Sequence, residues 1–151
     1  MNKIDLLLKI DKTKLVRPSK DVEINRLSEA LGEPFIVTCQ ALTADEQEEI
    51  QENVSINTDG EINTDKNMQI EAVLHGVKDP DLYNRKVIEY FGAATAYDAV
   101  KKIFLPGEIT SIYNTITKIS GFSKDAVKEI KNSSTQTEKS DSCMSSGKKN
   151  G

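Results

Sequence analysis

The side chains of this 151-residue chain that could do chemistry are few and scattered. His75 is the only histidine. An imidazole can act as a general base near neutral pH, but no serine, cysteine or second ligand is set beside it by a recognisable spacing. The plainer reading is a structural or surface histidine, because geometry comes before pKa in any acid–base assignment. Asp45, Glu46, Glu48 and Glu49 make a dense carboxylate run. Paired carboxylates serve acid–base chemistry when a pocket surrounds them. Here only Ile50 and Val54 give the segment an apolar side, so the run reads as a charged helix face. Cys39 and Cys143 are far apart and lack CxxC spacing, which points to a reducing compartment and no metal site. A calcium loop built around Gly60 fails, because Ser55 and Lys66 occupy its first and twelfth positions, where Asp and Glu are needed. Gly32, Gly60, Gly76, Gly92, Gly107 and Gly121 are spaced singly, as turn and cap residues, and make no phosphate-binding loop. GxSxG and HExxH are also absent. The expectation is a non-enzymatic protein with no catalytic residue, no cofactor and no metal.

Composition narrows the remaining classes. The net charge is −4, and the basic residues are interspersed with acidic ones. Nucleic-acid binding needs clustered Lys and Arg that displace counterions, so it is not expected. No membrane contact is expected either. Leu6, Leu7 and Leu8 are flanked by Asp5 and Lys9, too short a run for a signal peptide, and nothing approaches the ~20 apolar residues of a span.

The elements come next. Three helices follow one another between residues 85 and 122. Val87, Ile88 and Phe91 share a face closed by Gly92. Thr95 and Asp98 form a capping box before Val100, Ile103 and Phe104. Pro106 fits a first helical turn, and Ile109, Ile112, Tyr113, Ile116 and Ile119 make one stripe. Gly121 should end that helix in the left-handed region, with Phe122 as its apolar follower. None of these stripes is buried by its own helix, so the helices must pack on each other.

Upstream, Val22 and Ile24 alternate with charges as a short strand, and residues 35–42 are β-rich. A short helix over 25–31, stopped by Gly32, separates two strands that could pair. Thr43 and Glu46 form a capping box for the acidic helix. Residues 54–65 carry a near-repeat, Ile-Asn-Thr-Asp at 56–59 and 62–65, with Asp59-Gly60 as the turn of an exposed hairpin. Asp65 should cap a helix through Val77 with Ile70, Val73, Leu74 and Val77 on one face, and Asp79-Pro80-Asp81 breaks the chain. Ser123 should cap a last helix through Ile130. The fold expected is mainly α (α+β), a bundle of about five to six helices with a small antiparallel β portion near the N-terminus. Three parts are expected: an aliphatic arm over 1–20, one domain over 21–131, and a Ser/Thr-rich tail over 132–151. That tail has too little apolar surface to offset ordering entropy and should be disordered. The arm has neither clean helical nor clean strand period. It either docks on its own domain or offers Leu6, Leu7, Leu8 and Ile10 to a neighbouring subunit or client.

The order of segments resembles a known family. The blocks around GEPF (32–35), ALTADEQEEI (41–50), NMQIEAVLHGVKDPDL (67–82) and FLPGEITSIYNTITKISGF (104–122) are similar to the XkdN-like tail assembly chaperones of contractile-tailed phages, prophages and phage-tail-like particles, over roughly residues 15–131. The resemblance implies a non-structural protein that works in the bacterial host cytoplasm and is absent from the finished particle. It implies a tape measure protein as client, kept soluble and extended, and tail tube subunits as recruited partners. Self-association into a homo-oligomer stays open beside these. A longer form made by −1 frameshifting is also implied; Lys148-Lys149-Asn150 could be encoded by a slippery A-AAA-AAC. The alternative is a structural tail component or adaptor that stays in the particle.

Overall fold

The computed structural model describes residues 2–57 and 64–130, and the side chains of 2–54 and 68–130. Seven α-helices and three strands fall within them. The chain opens with α1 (Lys3–Leu8) and a 3-10 turn (Lys12–Lys14), neither of which buries a residue. Strand β1 (Ser19–Glu23), helix α2 (Asn25–Leu31) and strand β2 (Ile36–Gln40) follow. β1 and β2 pair antiparallel, with Ser19 opposite Gln40, Val22 opposite Val37, and Glu23 opposite Ile36. The strand pair and the helix between them therefore form as the residue types indicate. Gly32 ends α2 at φ 78°, a conformation open to glycine because it lacks a Cβ.

β2 is the middle strand, and its alternation decides what lies beneath the sheet. Val37 and Cys39 point inward and are fully buried, while Ile36 stays exposed. Its second partner is β3 (Val77–Asp79), with Cys39 opposite Val77 and a register shift at Thr38. This corrects the sequence reading, which ran the preceding helix through Val77. The helix instead stops at Gly76, and Val77 starts a strand because β2 offers an open ladder edge. The following Asp79–Pro80 peptide is cis.

Helices α3 (Ala44–Asn57) and α4 (Thr64–Gly76) flank residues 58–63. Thr43 caps α3 reciprocally: its Oγ1 accepts from the Glu46 N–H, and its own N–H donates to Glu46 Oε1. The flanks of the expected hairpin are helical rather than extended. Val54 lies one turn beyond Ile50 on the same face, and both bury against Ala72 of α4, so tertiary packing carries the helix past Val54. The Asp59-Gly60 turn lies outside the described residues.

α5 (Arg85–Tyr90), α6 (Ala96–Ile103) and α7 (Pro106–Thr117) match the three expected helices. Asn84 caps α5, and Thr95 Oγ1 accepts the Asp98 N–H at the start of α6. α7 begins on Pro106, and Glu108 Oε1 accepts the Leu105 N–H. Ile109, Ile112 and Ile116 of α7 bury against Ile70, Val73 and Leu74 of α4, and against Val37 and Cys39 of the sheet. Each fully buried isoleucine contributes about 1.5–3 kcal/mol. A close approach makes this possible. A Cβ built on Gly76 would lie 2.6 Å from Ile116 Cδ1, so Gly76 is a packing glycine rather than the turn or cap residue its spacing suggested.

α7 ends in a π turn (Lys118–Phe122) that contains Gly121 at φ 99°. The expected last helix after Ser123 does not form; residues 123–130 are turns and irregular chain. Val127 and Ile130 are exposed there. A helix of about two turns is not stable in water without a face to pack on. The Ser/Thr-rich tail, including Cys143, lies outside the described residues.

Candidate partner-binding surface

Of the groups singled out for chemistry, His75, Cys39, Glu46 and Glu49 have structural neighbours. Glu71 sits on α4 and is buried, and Asn53 of α3 donates to its Oε1 at 3.2 Å. His75, one turn on, has Nδ1 2.9 Å from the Glu71 carbonyl, so the ring donates there. Its Nε2 lies 3.6 Å from Glu49 on α3. Tyr83 and Tyr97 are held above the usual phenol value, first by burial and then by the charge of Glu71. His75 is thus held by its own helix, with its other ring nitrogen near α3. Cys39 is a free thiol, and burial first, then Asp21, pushes it up to about 11. A thiol held protonated in an apolar layer is a packing group, not a nucleophile. Among the described residues, no group of three or more His, Cys, Asp or Glu could hold a metal ion. No described helix is long and apolar enough to cross a membrane.

Two ion pairs join the base of the arm to α3 and α2 to α7. Arg17 donates to the Ala41 carbonyl at 3.2 Å and to Glu46 at 2.8 Å, which pins the base of the arm beside the end of β2. Arg26 of α2 holds Glu108 of α7 through two bonds of 2.9 and 2.8 Å and also donates to the Ile103 carbonyl. The bond from Arg26 is the main reason the Glu108 carboxyl sits below its ordinary value.

What remains unpartnered is aliphatic. Leu6 is 55% exposed, Leu7 63%, Leu8 79% and Ile10 42%; Ile4, Leu15 and Val16 are exposed as well. Asn2 caps α1 by accepting the Asp5 N–H at 2.8 Å. On this short helix Ile4, Leu7 and Leu8 fall on one side and Leu6 on another, and Ile10 follows just past the helix end. The arm expected over 1–20 divides: Arg17 and the β1 residues Ser19 and Lys20 dock on the domain, which therefore starts before residue 21, whereas α1 buries none of its residues.

The second unpartnered surface was not visible in the sequence. A groove of about 290 Å³ opens between α2, α5 and the end of α6, and apart from Asp81 its lining is apolar. Leu27 and Leu31 come from α2, Val87 and Phe91 from α5, and Ile103 and Phe104 from the end of α6. The i, i+4 pairs Leu27/Leu31 and Val87/Phe91 were the only local sign of it.

The described residues thus leave an exposed aliphatic arm and an open apolar groove on a mainly helical body. The sequence matches the model of the family described as Phage XkdN-like tail assembly chaperone protein over residues 4–131. The chain belongs to that family. The crystal structure of the protein YqbN shares the fold, with a TM-score of 0.53, covering 69% of this chain and 87% of that one at 17% identity. No curated protein matches the chain. The XkdN-like match takes in most of the arm as well as the body, so Leu6, Leu7, Leu8 and Ile10 lie inside it.

Proposed function

We propose that this XkdN-like chaperone holds a phage tape measure protein in solution through its aliphatic arm, and helps bring tail tube subunits to it. The observation that carries this reading is that α1 buries none of its own residues. A helix of six residues is too short to persist alone, and its leucines gain on meeting an apolar stripe. The helical client supplies such a stripe by the helix-in-groove logic of peptide recognition. Leu6, Leu7, Leu8 and Ile10 are the proposed contacts. Each contact is weak, and many copies along one long client act together by multivalency.

The rest of the chain suits the same task. The folded body holds the arm at Arg17, and the acidic surplus keeps a loaded complex soluble. The work is binding, done in the bacterial host cytoplasm, with no reaction step. The Ser/Thr-rich tail adds polar chain, and a frameshift at Lys148-Lys149-Asn150 would replace its end. AAG codons at Lys148 or Lys149 would remove the frameshift. Affinity purification from producing cells tests the whole reading. The tape measure and tube proteins should co-purify, and mass spectrometry of finished particles should find no copy of this chain. Stoichiometric chain in the particle would make it a structural component instead.

A further inference from the structure

We infer that the groove between α2, α5 and α6 receives the aliphatic arm of a second copy of this chain. The groove and the arm are two apolar surfaces of one molecule, and each lacks a partner within it. Charge favours their meeting. Residues 1–14 carry four lysines and two aspartates, a surplus of two positive charges. Residues 15–130 carry twelve Lys or Arg against twenty Asp or Glu, a surplus of eight negative charges. Asp81 lines the groove, Glu29 and Glu33 flank its α2 residues in sequence, and Lys86 and Lys102 adjoin Val87 and Ile103 in sequence.

The position of the arm points to an intermolecular contact. Arg17 pins the arm beside Ala41, at one end of β2, while the groove starts from Phe35 at the other. In the structure α1 buries none of its residues and no arm residue lines the groove, so a copy's arm is not seated in its own groove and is free to enter a neighbour's. Ile4, Leu7 and Leu8 make the seated side; Leu6 and Ile10 stay outside it. A reciprocal pair closes as a two-fold dimer, and a one-way contact runs on as a chain of subunits.

This inference stands apart from client binding, because it is read with no client present. Sedimentation of the full chain gives the test, with an arm variant (Leu7→Asp with Leu8→Asp) and a groove variant (Leu31→Glu). Leu31 is 60% exposed, so all three positions tolerate charge without unfolding the body, which circular dichroism verifies. The wild type should self-associate in the micromolar range, and each variant alone should do so about tenfold more weakly or worse. Mixing the two variants should restore a one-to-one pair, since one supplies an intact groove and the other an intact arm. A monomeric wild type, variants that associate as the wild type does, or a mixture that stays monomeric would each overturn the contact.

Discussion

At the scale of single residues, Gly76 and Ile116 show how little room the core leaves. Gly76→Ala forces Ile116 to shift, at a cost of about 1–3 kcal/mol, offset in part by the roughly 1 kcal/mol that alanine gains over glycine in a helix. Chemical denaturation should show a net loss. The loss should be smaller in an Ile116→Val background, where the Cδ1 atom nearest the new methyl is gone. Equal losses in both backgrounds would mean the close approach is not what matters. Glu108 gives a prediction of different character. Its folded-state value is depressed, chiefly by the bond from Arg26. The pair therefore stabilises the fold fully above the ordinary glutamate value of 4.5, and that support fades as pH falls through the depressed value. Glu108→Gln should lower stability at pH 7, and the gap to wild type should narrow as the pH falls below 4.5. A gap unchanged by pH would place the effect in the helix cap rather than the charge.

At the scale of elements, sequence periodicity read the central helices well because their stripes are long and their caps are local. Thr95 with Asp98, Pro106 and Gly121 each act within a few residues of themselves. β3 was not legible, since Val77 continues the α4 stripe and only β2's open edge, distant in sequence, converts it to strand. The outer flanks of the expected hairpin, 54–57 and 64–65, are helical for the same kind of reason: Val54 answers to Ala72, distant in sequence, while the Asp59-Gly60 turn lies outside the described residues. Leu6, Leu7, Leu8 and Ile10 were legible as excess aliphatic surface, whereas the groove draws its lining from several elements and leaves only paired leucine and phenylalanine spacings behind. The arm itself makes a clear prediction. Deleting residues 2–14 removes no buried side chain and keeps the Arg17 anchor. The melting temperature should move by no more than about 2 °C, the scale of a surface change. A fall of ten degrees would show the arm packs on the body.

For the whole molecule, the central claim is a division of labour. On the proposed function, a folded, acidic body offers an aliphatic arm to other chains, and its work is binding. Co-expression with the tape measure protein tests this most directly, comparing the soluble client yield for no chaperone, wild type, and a variant carrying Asp at Leu6, Leu7, Leu8 and Ile10. The wild type should raise soluble client several-fold, and the arm variant, itself folded and soluble, should return it to the level seen with no chaperone. Client left equally insoluble with and without the wild-type chain, or rescued as well by the arm variant, would contradict the account.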